Sequence, residues 1–229
     1  MPKRTRPSNL TCIIPAYNEG KVIGNVVKTV RRECDRVLVI DDGSSDDTRW
    51  NAERAGALVI CHSVNLGTGA SEETGIRSAL RLGADFIVTL DADGQHDPSE
   101  IPKLLEPILS DEADMVIGSR FLEPEGPMPQ TRRVGNSLLT GLTSIICGVE
   151  ITDSQSGFRA LNRRAAENIN ELPSDYSWAS DMITQVHRKG LRIREAPVRT
   201  IYDPYSLSKG TSLFDGLKIL LYLVKSRLF

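Results

Sequence analysis

This sequence has few aromatic residues, a net charge close to zero and no long hydrophobic run. Of its 229 residues only 5% are aromatic, and the formal net charge is -2. A nucleic-acid-binding protein would need a basic surface opposite the phosphates, so we expect no nucleic-acid partner. No stretch reaches the roughly 18 consecutive apolar residues that cross a bilayer, and we expect no transmembrane span. The hydrophobic content of 40% is typical of a globular protein with a full core.

Paired cysteines and a recognisable signal peptide are absent as well. The four cysteines are Cys12, Cys34, Cys61 and Cys147. Their wide spacing, without a C-x-x-C pair, predicts neither a zinc site nor a disulfide framework. Residues 1–9 are basic and contain proline, which predicts a flexible N-terminal segment, and Pro15 and Asn18 interrupt the apolar run that follows. Since this leaves no signal-peptide core, we expect a cytoplasmic location.

Short apolar runs alternate with helix-like segments through the first half of the chain. The predicted strands are 10–14, 37–40, 57–61, 86–90 and 115–118, and the predicted helices are 22–32, 47–55, 70–82 and 99–110. This is the rhythm of βαβ units, and strands that are apolar throughout require a sheet covered on both faces. We therefore predict one α/β domain over residues 1–229 with a mostly parallel sheet. Further on we expect helices, a polar turn at 153–159 and a strand near 192–196.

Two aspartates follow the predicted strand 86–90. Alternation along an extended chain places Asp91 and Asp93 on the same side. Two carboxylates that face one point repel each other, and a divalent cation that bridges them to a diphosphate removes this cost; oxygen ligands suit Mg²⁺ or Mn²⁺. The alternatives are a turn rich in Asp and Gly, or a calcium loop. The calcium pattern needs Gly and an acid where His96 and Pro102 stand.

A second pair of acids, Asp41 and Asp42, ends the strand 37–40. A turn or a helix cap needs only one acid, so part of this pair is free to accept hydrogen bonds from a nucleobase or a ribose. Glu19 and Tyr17, which follow the first strand, would complete such a pocket, with Tyr17 as a stacking surface. Ligands of parallel sheets bind beyond the carboxyl ends of the strands, where all of these residues are expected.

Two common phosphate-binding motifs fail in this sequence. Gly67 and Gly69 begin a dinucleotide fingerprint, but Glu72 stands where its third glycine belongs. The Walker pattern fails because Lys21 is followed by Val22. The three histidines show no spacing typical of a catalytic triad or a metal cluster. These observations argue against a kinase or an NAD-dependent enzyme.

Three arginines bracket the longest connection rich in proline and glycine, which covers 123–130. Arg120 precedes it, and Arg132 and Arg133 follow it. Their planar guanidinium groups suit bidentate phosphate binding, and a solvated surface is the alternative.

Residues 212–229 show the pattern of an amphipathic helix. Lys218, Lys225 and Arg227 flank its leucine-rich side. The two open interpretations are a helix at an anionic membrane surface and a helix packed on the core.

Five segments, taken together and in this order, resemble family 2 glycosyltransferases of the dolichyl-phosphate mannose synthase type. They are 13–19 (IIPAYNE), 39–46 (VIDDGSSD), 89–96 (TLDADGQH), 118–121 (GSRF) and 156–159 (SGFR). The resemblance implies a GT-A fold with helices on both faces of the sheet, a nucleotide-sugar donor, a divalent metal and a polyprenyl-phosphate acceptor. Membrane contact would rest on the C-terminal helix or on a membrane-protein partner.

The resemblance also implies roles for individual residues. The nucleotide would be bound by Pro15, Tyr17, Glu19, Asp41, Asp42 and Asp91. The metal would be held by Asp91, Asp93 and Gln95. The acceptor phosphate would be bound by Arg120, Arg132 or Arg133, and Lys209. Asp93 and Arg120 would be the catalytic residues. One departure is that relatives often carry Lys or Arg in the segment that here contains Thr68, Glu72 and Glu73.

Three functions remain open from the sequence. An acceptor phosphate, which is largely dianionic near neutral pH, attacks the sugar C1 without a general base and inverts the anomeric centre. A hydroxyl acceptor would instead need a carboxylate base, for which Asp181 is the candidate. A catalytically silent nucleotide-sugar-binding protein is the third hypothesis, motivated by Glu72 and Glu73. The sequence predicts neither the sugar nor the choice between UDP and GDP.

Overall fold

A seven-stranded mixed sheet forms the centre of the computed structural model, which describes residues 7–122, 130–175 and 177–201. The strands are β1 Leu10–Ala16, β2 Arg36–Asp41, β3 Leu58–Cys61, β4 Phe86–Thr89, β5 Met115–Ser119, β6 Arg159–Asn162 and β7 Ile193–Pro197. Their order across the sheet is β3-β2-β1-β4-β6-β5-β7. Only β6 among them runs antiparallel to its neighbours, β4 and β5.

Helices cover both faces of this sheet. They are α1 Ile23–Val30, α2 Thr48–Ala55, α3 Thr68–Arg81, α4 Ile101–Leu109, α5 Gln130–Cys147, α6 Arg163–Ala166 and α7 Trp178–Arg188, and a 3-10 turn at Pro98–Glu100 precedes α4. The apolar sides of α1, α2 and α4 form one core with the sheet, and those of α3, α6 and α7 form a second core on the opposite face. In the part of the chain that is described, no helix is both long and apolar enough to cross a bilayer.

Strand β1 shows why the sequence folds in this way. Its consecutive residues Ile13 and Ile14 are both fully buried, and they point into opposite cores because side chains alternate along a strand. A strand that is apolar on both sides is stable only between two layers of helices. The predicted α/β fold, with a mostly parallel sheet and helices on both faces, is confirmed.

The prediction of a polar turn that continues through residue 159 was wrong at its C-terminal end, where β6 begins. This strand has four residues and starts with an arginine, so it lacks the apolar run that identified the other strands. Arg159 is nevertheless fully buried. The interior of the protein provides hydrogen bonds for it, and no pattern in the sequence predicts such partners.

Several predicted features fall outside the described residues. These are the N-terminal residues 1–6, the connection 123–129, Lys209 and the C-terminal helix 212–229. Arg132 and Arg133 lie in α5, but their side chains are also outside the description.

Candidate active site

Two loops form one wall of the crevice at the carboxyl ends of the strands. Asn18, in the loop after β1, has a left-handed backbone with φ of 54°. Its backbone N–H donates to Ser44 Oγ at 2.9 Å, and its side-chain oxygen accepts from the N–H of Ser45 at 2.9 Å. The loops after β1 and β2 are thereby joined. Tyr17 is 48% exposed on this wall and Glu19 is buried in it, so an aromatic face and an acid both stand beside the crevice.

The Asp41 carboxylate lies at the end of β2, buried and close to this wall. Its Oδ1 accepts a hydrogen bond from the N–H of Ser44 at 3.1 Å. Pro15, which is paired with Ile40 in the sheet, is partly exposed in the neighbouring strand. The structure thus brings four of the predicted nucleoside-binding residues, Pro15, Tyr17, Glu19 and Asp41, to one edge of the sheet. Their contact with a nucleoside stays a prediction.

Asp42 has a position that the sequence did not reveal. Its Oδ1 accepts from the N–H of Leu66 at 2.9 Å and lies 2.7 Å from Nδ1 of His62, while its Oδ2 accepts from the N–H of Gly67 at 2.9 Å. Nε2 of the same imidazole lies 3.0 Å from Oγ1 of Thr74 on α3. The carboxylate therefore anchors the connection between β3 and α3. This positioning role is added to the predicted contact of Asp42 with the nucleotide, which remains untested.

The pair Asp91 and Asp93 follows β4 on the other side of β1. Nε2 of the buried His96 donates to Asp91 Oδ2 at 3.0 Å, while 44% of the Asp91 side chain stays exposed to the crevice. Burial raises the pKa of Asp91, but the hydrogen bond from His96 and the charges of His96, Arg120 and Arg159 outweigh burial, so the pKa lies below its ordinary value. Asp91 is thus an ionised carboxylate at the floor of the crevice.

The Asp93 carboxylate is held by its own turn. Its Oδ1 accepts from the N–H of Gln95 at 3.0 Å, and its Oδ2 accepts from the side-chain amide of Gln95 at 2.6 Å. Burial raises the pKa of Asp93, and the charges of Asp91 and Glu19 raise it further, to about 6. These three acids therefore share one electrostatic environment. Gln95 orients Asp93 through hydrogen bonds, and its predicted contact with a metal stays a prediction.

The chemistry of this pair fits a divalent cation. The charge of Asp91 raises the pKa of Asp93, so positive charge beside the pair stabilises its ionised form, and Mg²⁺ is often bound by one or two carboxylates together with substrate phosphates. No cluster of three or more His, Cys, Asp and Glu side chains arranged for a metal occurs among the residues that the structure describes. Asp91 and Asp93 are the residues that would hold such a cation, which would supply positive charge to a bound diphosphate.

Gly157 explains why a glycine stands in the segment 156–159. A Cβ atom at this position would lie 2.6 Å from Oδ1 of Asp91, well inside van der Waals contact. The backbone is held there because Thr89 Oγ1 donates to the carbonyl of Gly157 at 2.7 Å. The segment therefore packs directly against the Asp91 carboxylate.

Arg120 reaches the crevice but is already paired. Its Nε and Nη2 donate to the two oxygens of the fully buried Asp153 at 2.6 and 2.8 Å, and its backbone N–H donates to the same carboxylate at 3.1 Å. Burial raises the pKa of Asp91 and the interactions with His96 lower it. The charge of Arg120 lowers it further. The bidentate fork that was expected to hold a phosphate is thus occupied by Asp153. The role of Arg120 in phosphate binding and catalysis stays a prediction.

Two buried residues, Arg159 and Glu72, lie beneath the crevice, and neither had a predicted role in the reaction. Arg159 donates to the carbonyls of Ser154, Ser156 and Ala179 at 2.8 to 2.9 Å, and its guanidinium lies 5.0 Å from the ring centroid of Trp178. Burial lowers the pKa of Arg159 to about 10, although nearby carboxylates oppose this. The arginine therefore remains charged and ties the segment before β6 to α7.

Glu72, on α3, is fully buried, and neither of its carboxyl oxygens has a hydrogen-bond partner in the structure. Burial and the charge of Asp91 raise its pKa well above the ordinary value, and Arg159 opposes them. Glu73 lies beside it on the helix surface, where it pairs with Arg77 at 2.7 Å and accepts from the N–H of Leu172 at 3.0 Å. The two glutamates that depart from the family pattern therefore have different environments. The pattern marked both positions, but it did not predict that only one is buried.

Asp181, the predicted base for a hydroxyl acceptor, lies in the first turn of α7. Its Oδ2 accepts from the side-chain amide of Gln185 at 2.6 Å, and the same amide donates to the carbonyl of Asn170 at 2.7 Å. This places Asp181 in a network that leads to the loop at 170. Its role as a base stays a prediction.

Comparisons with known proteins give the family of this chain. The sequence model of glycosyl transferase family 2 matches residues 11–169. The chain is 37% identical over 229 residues to the UDP-N-acetylglucosamine–dolichyl-phosphate N-acetylglucosaminyltransferase of Methanococcus voltae, which covers 90% of this chain and 91% of that protein. It is 31% identical over 223 residues to the polyprenol monophosphomannose synthase of Mycolicibacterium smegmatis, with 91% and 83% covered.

A solved structure shows the same fold. Glucosyl-3-phosphoglycerate synthase from Mycobacterium tuberculosis, in complex with Mn²⁺, UDP and phosphoglyceric acid, superposes with a TM-score of 0.72 at 19% identity. The match covers 96% of this chain and 78% of that chain, and it confirms the predicted GT-A architecture. Together with the family match, these findings show that the chain belongs to the family 2 glycosyltransferases.

Proposed function

We propose that this glycosyltransferase moves a sugar from a nucleoside diphosphate to a polyprenyl phosphate and inverts the anomeric centre. The observation that carries the proposal is the pair Asp91 and Asp93, which lies at the carboxyl ends of the strands beside Glu19. This is where parallel sheets bind their ligands. The names of the two relatives, a dolichyl-phosphate and a polyprenol enzyme, support a polyprenyl acceptor.

On this proposal each wall of the crevice has a separate task. Tyr17 and Asp41 bind the nucleoside, Tyr17 by stacking on the base and Asp41 by accepting hydrogen bonds. Asp91 and Asp93 hold Mg²⁺ or Mn²⁺, which when bound neutralises charge on the departing nucleoside diphosphate. Arg120, fixed by Asp153, keeps a positive charge beside Asp91 and stabilises the phosphate groups.

The displacement itself needs no proton transfer to the protein. An oxygen of the acceptor phosphate forms a bond to the sugar C1 while the bond from C1 to the donor diphosphate breaks, and the electron pair leaves with the nucleoside diphosphate. A phosphate dianion is already deprotonated near neutral pH, since its second pKa is about 6.

A hydroxyl acceptor is the second candidate, and it predicts a different variant phenotype. If Asp181 removed a proton from the acceptor, Asp181→Asn would slow the chemical step about 100 to 10,000-fold. We expect this variant to keep most of the single-turnover rate on a polyprenyl phosphate. A loss in that range in a protein that remains folded would replace the phosphate mechanism with the hydroxyl mechanism.

The third candidate, a silent nucleotide-sugar-binding protein, rested on Glu72 and Glu73. In the structure Glu72 is enclosed in the core and Glu73 is paired with Arg77. Neither arrangement adds an exposed unpaired carboxylate to the crevice, which supports a working donor site. We also propose that the enzyme acts in the cytoplasm at the membrane surface, where a polyprenyl acceptor resides. A membrane-protein partner would assist this contact.

The decisive experiment is a transfer assay with a panel of UDP- and GDP-sugars, a polyprenyl phosphate and Mn²⁺ or Mg²⁺. We expect transfer from one donor, loss of activity in EDTA and a product of inverted anomeric configuration by NMR. A thermal-shift screen selects the donor first, because a ligand at 100 times its Kd stabilises the folded state by about 2.7 kcal/mol. Donor binding without transfer to any acceptor would support the silent protein, and full activity in EDTA would exclude the metal.

A further inference from the structure

A cavity of 380 Å³ lies between α1 and α2, on the face of the sheet that carries these helices. Its lining includes three cations, Lys21, Lys28 and Arg54, and the amides of Asn25 and Asn51. None of the residues assigned above to the nucleotide, the metal or the acceptor belongs to this lining. The cavity is thus separate from the crevice, although Gly20 directly follows Glu19 in the chain.

Every charged residue in this lining is positive. Lys21 lies in the turn before α1, Lys28 is in the last turn of that helix, and Arg54 is in the last turn of α2. None of the three forms an ion pair with an acid of the described chain. Glu53, the acid next to Arg54, is paired with Arg49 on the helix surface at 2.9 Å. The cavity is therefore lined by three positive charges, all on exposed side chains, which form no ion pair among the described residues.

The walls of the cavity are fixed by backbone contacts. Asn51 donates from its side-chain amide to the carbonyl of Gly20 at 2.9 Å, which joins α2 to the turn before α1. The N–H of Gly20 donates in turn to Asp46 Oδ2 at 3.0 Å. Gly24 faces α2 at this point, and a Cβ there would lie at an ordinary contact distance of 3.6 Å from the carbonyl oxygen of Asn51. The backbone around the cavity is thus held in place, while the charged side chains stand at its exposed rim.

The lining determines which ligand fits. Three cations around one space, of which Arg54 also lies 6.0 Å from the ring centroid of Trp50, suit a dianion, and lysine and arginine are the side chains that bind phosphate groups in proteins. The amides of Asn25 and Asn51 add neutral hydrogen-bonding groups, as hydroxyls next to a phosphate would require. The volume falls in the range of roughly 300 to 1,000 Å³ that is usual for small-molecule sites.

We propose that the cavity between α1 and α2 is a second binding site, which takes a phosphate monoester attached to a small polar group. This ligand is either a soluble phosphorylated metabolite or the headgroup of a phosphate-bearing lipid. The site does not depend on the transfer reaction proposed above, because its residues are outside the crevice.

The test compares two double variants of the full chain. Lys28→Glu with Arg54→Glu reverses two charges of the cavity, and both positions are exposed, so the fold should be unaffected. Arg81→Glu with Lys189→Glu is the matched control, because these exposed cations lie at the ends of α3 and α7 on the opposite face of the sheet. Thermal unfolding verifies that both variants are folded.

Two probes distinguish the source of the phosphate. Isothermal titration calorimetry with glycerol 3-phosphate tests the soluble ligand, and co-flotation with vesicles that contain phosphatidic acid tests the lipid, with phosphatidylserine vesicles as the comparison. We expect at least one probe to bind the native protein and the control variant, and to bind the cavity variant at least tenfold more weakly. Binding of neither probe, or equal weakening in both double variants, would overturn the proposal.

Discussion

Asp41 and Asp42 follow β2, and Asp91 and Asp93 follow β4, so the two pairs stand on either side of β1 at one edge of the sheet. Asp42 of the first pair is held by another segment of the chain. It accepts hydrogen bonds from two backbone N–H groups of the connection before α3 and contacts His62. The hydrogen bonds to Asp91 and Asp93 come from the turn that follows them, through His96 and Gln95.

The electrostatic consequence differs accordingly. Burial and the neighbouring charge of Asp91 raise the pKa of Asp93 to about 6, whereas the Asp42 carboxylate is held by hydrogen bonds from the backbone N–H groups of Leu66 and Gly67. Asp42 uses its charge to organise a loop, whereas Asp91 and Asp93 keep charges that a cation would stabilise. Identical residue types at equivalent strand ends therefore have different tasks, and substitutions of Asp42 and of Asp91 or Asp93 should have different effects.

The largest effect is expected from removing charge in the second pair. Asp91→Asn and Asp93→Asn should each lower transfer by about 1,000-fold, because the several kcal/mol of charge stabilisation that a metal supplies would be lost. Asp93→Asn should not lower the thermal unfolding temperature, because it relieves repulsion with Asp91 and Glu19. Asp91→Asn should lower it slightly, because the favourable interactions of the Asp91 charge with His96 and Arg120 are lost. Glu112→Gln, at an exposed position before β5, is the control. A variant of the pair with normal transfer would show that these acids do not bind the metal.

Arg120→Lys should have the next largest effect. Lysine keeps the charge near Asp91 but cannot form the bidentate pair with Asp153, so the charge is no longer held in place. We expect kcat to fall about 100-fold, as for other losses of a positioned charge-stabilising group. Steady-state kinetics with saturating donor measure this change. Normal kcat together with reduced stability would restrict Arg120 to a structural partnership with Asp153.

Asp42→Asn should affect stability more than chemistry. An amide in place of the carboxylate faces backbone N–H groups with its own N–H₂, so at least one hydrogen bond to a charged acceptor is lost at a buried site. The expected cost is about 1.5 to 3 kcal/mol of unfolding free energy, measured by urea denaturation. Asp47→Asn, at an exposed position before α2, should change little. Equal unfolding free energies for the two variants would contradict the difference between the pairs.

The sequence predicted the edge of the sheet that carries these acids, but not their partners. Apolar runs followed by polar residues identify strand ends, because burial on both faces leaves a clear pattern. Asp42 contacts the connection at 62–67, which is 20 to 25 residues away in the sequence. The local sequence around Asp42 therefore could not predict this contact. The burial of Arg159 could not be predicted for a related reason. Its charge is satisfied by carbonyl groups that only the fold brings together.

The smallest predicted effect is on the pH dependence of stability. It concerns Glu72, a buried residue whose pKa is raised by burial and by the charge of Asp91. Burial and Asp91 raise the pKa of Glu72, so the folded state holds its proton more tightly than the unfolded chain. This group therefore contributes stability below its unfolded pKa of about 4.3, and the contribution is lost as pH rises toward the folded pKa, by at most about 1.4 kcal/mol per pH unit.

Glu72→Gln removes the titrating group and should make the unfolding free energy less dependent on pH above 5, with a gain at neutral pH. Urea denaturation of both proteins at several pH values in metal-free buffer measures the difference. Glu73→Gln, which removes the ion pair with Arg77 and the charged acceptor of the Leu172 N–H outside the core, is the matched control and should not reproduce this change. The slope due to Glu72 should also decrease in Asp91→Asn, because a neutral residue 91 no longer repels the buried carboxylate. An unchanged slope in that background would show that the two carboxyl groups are not coupled.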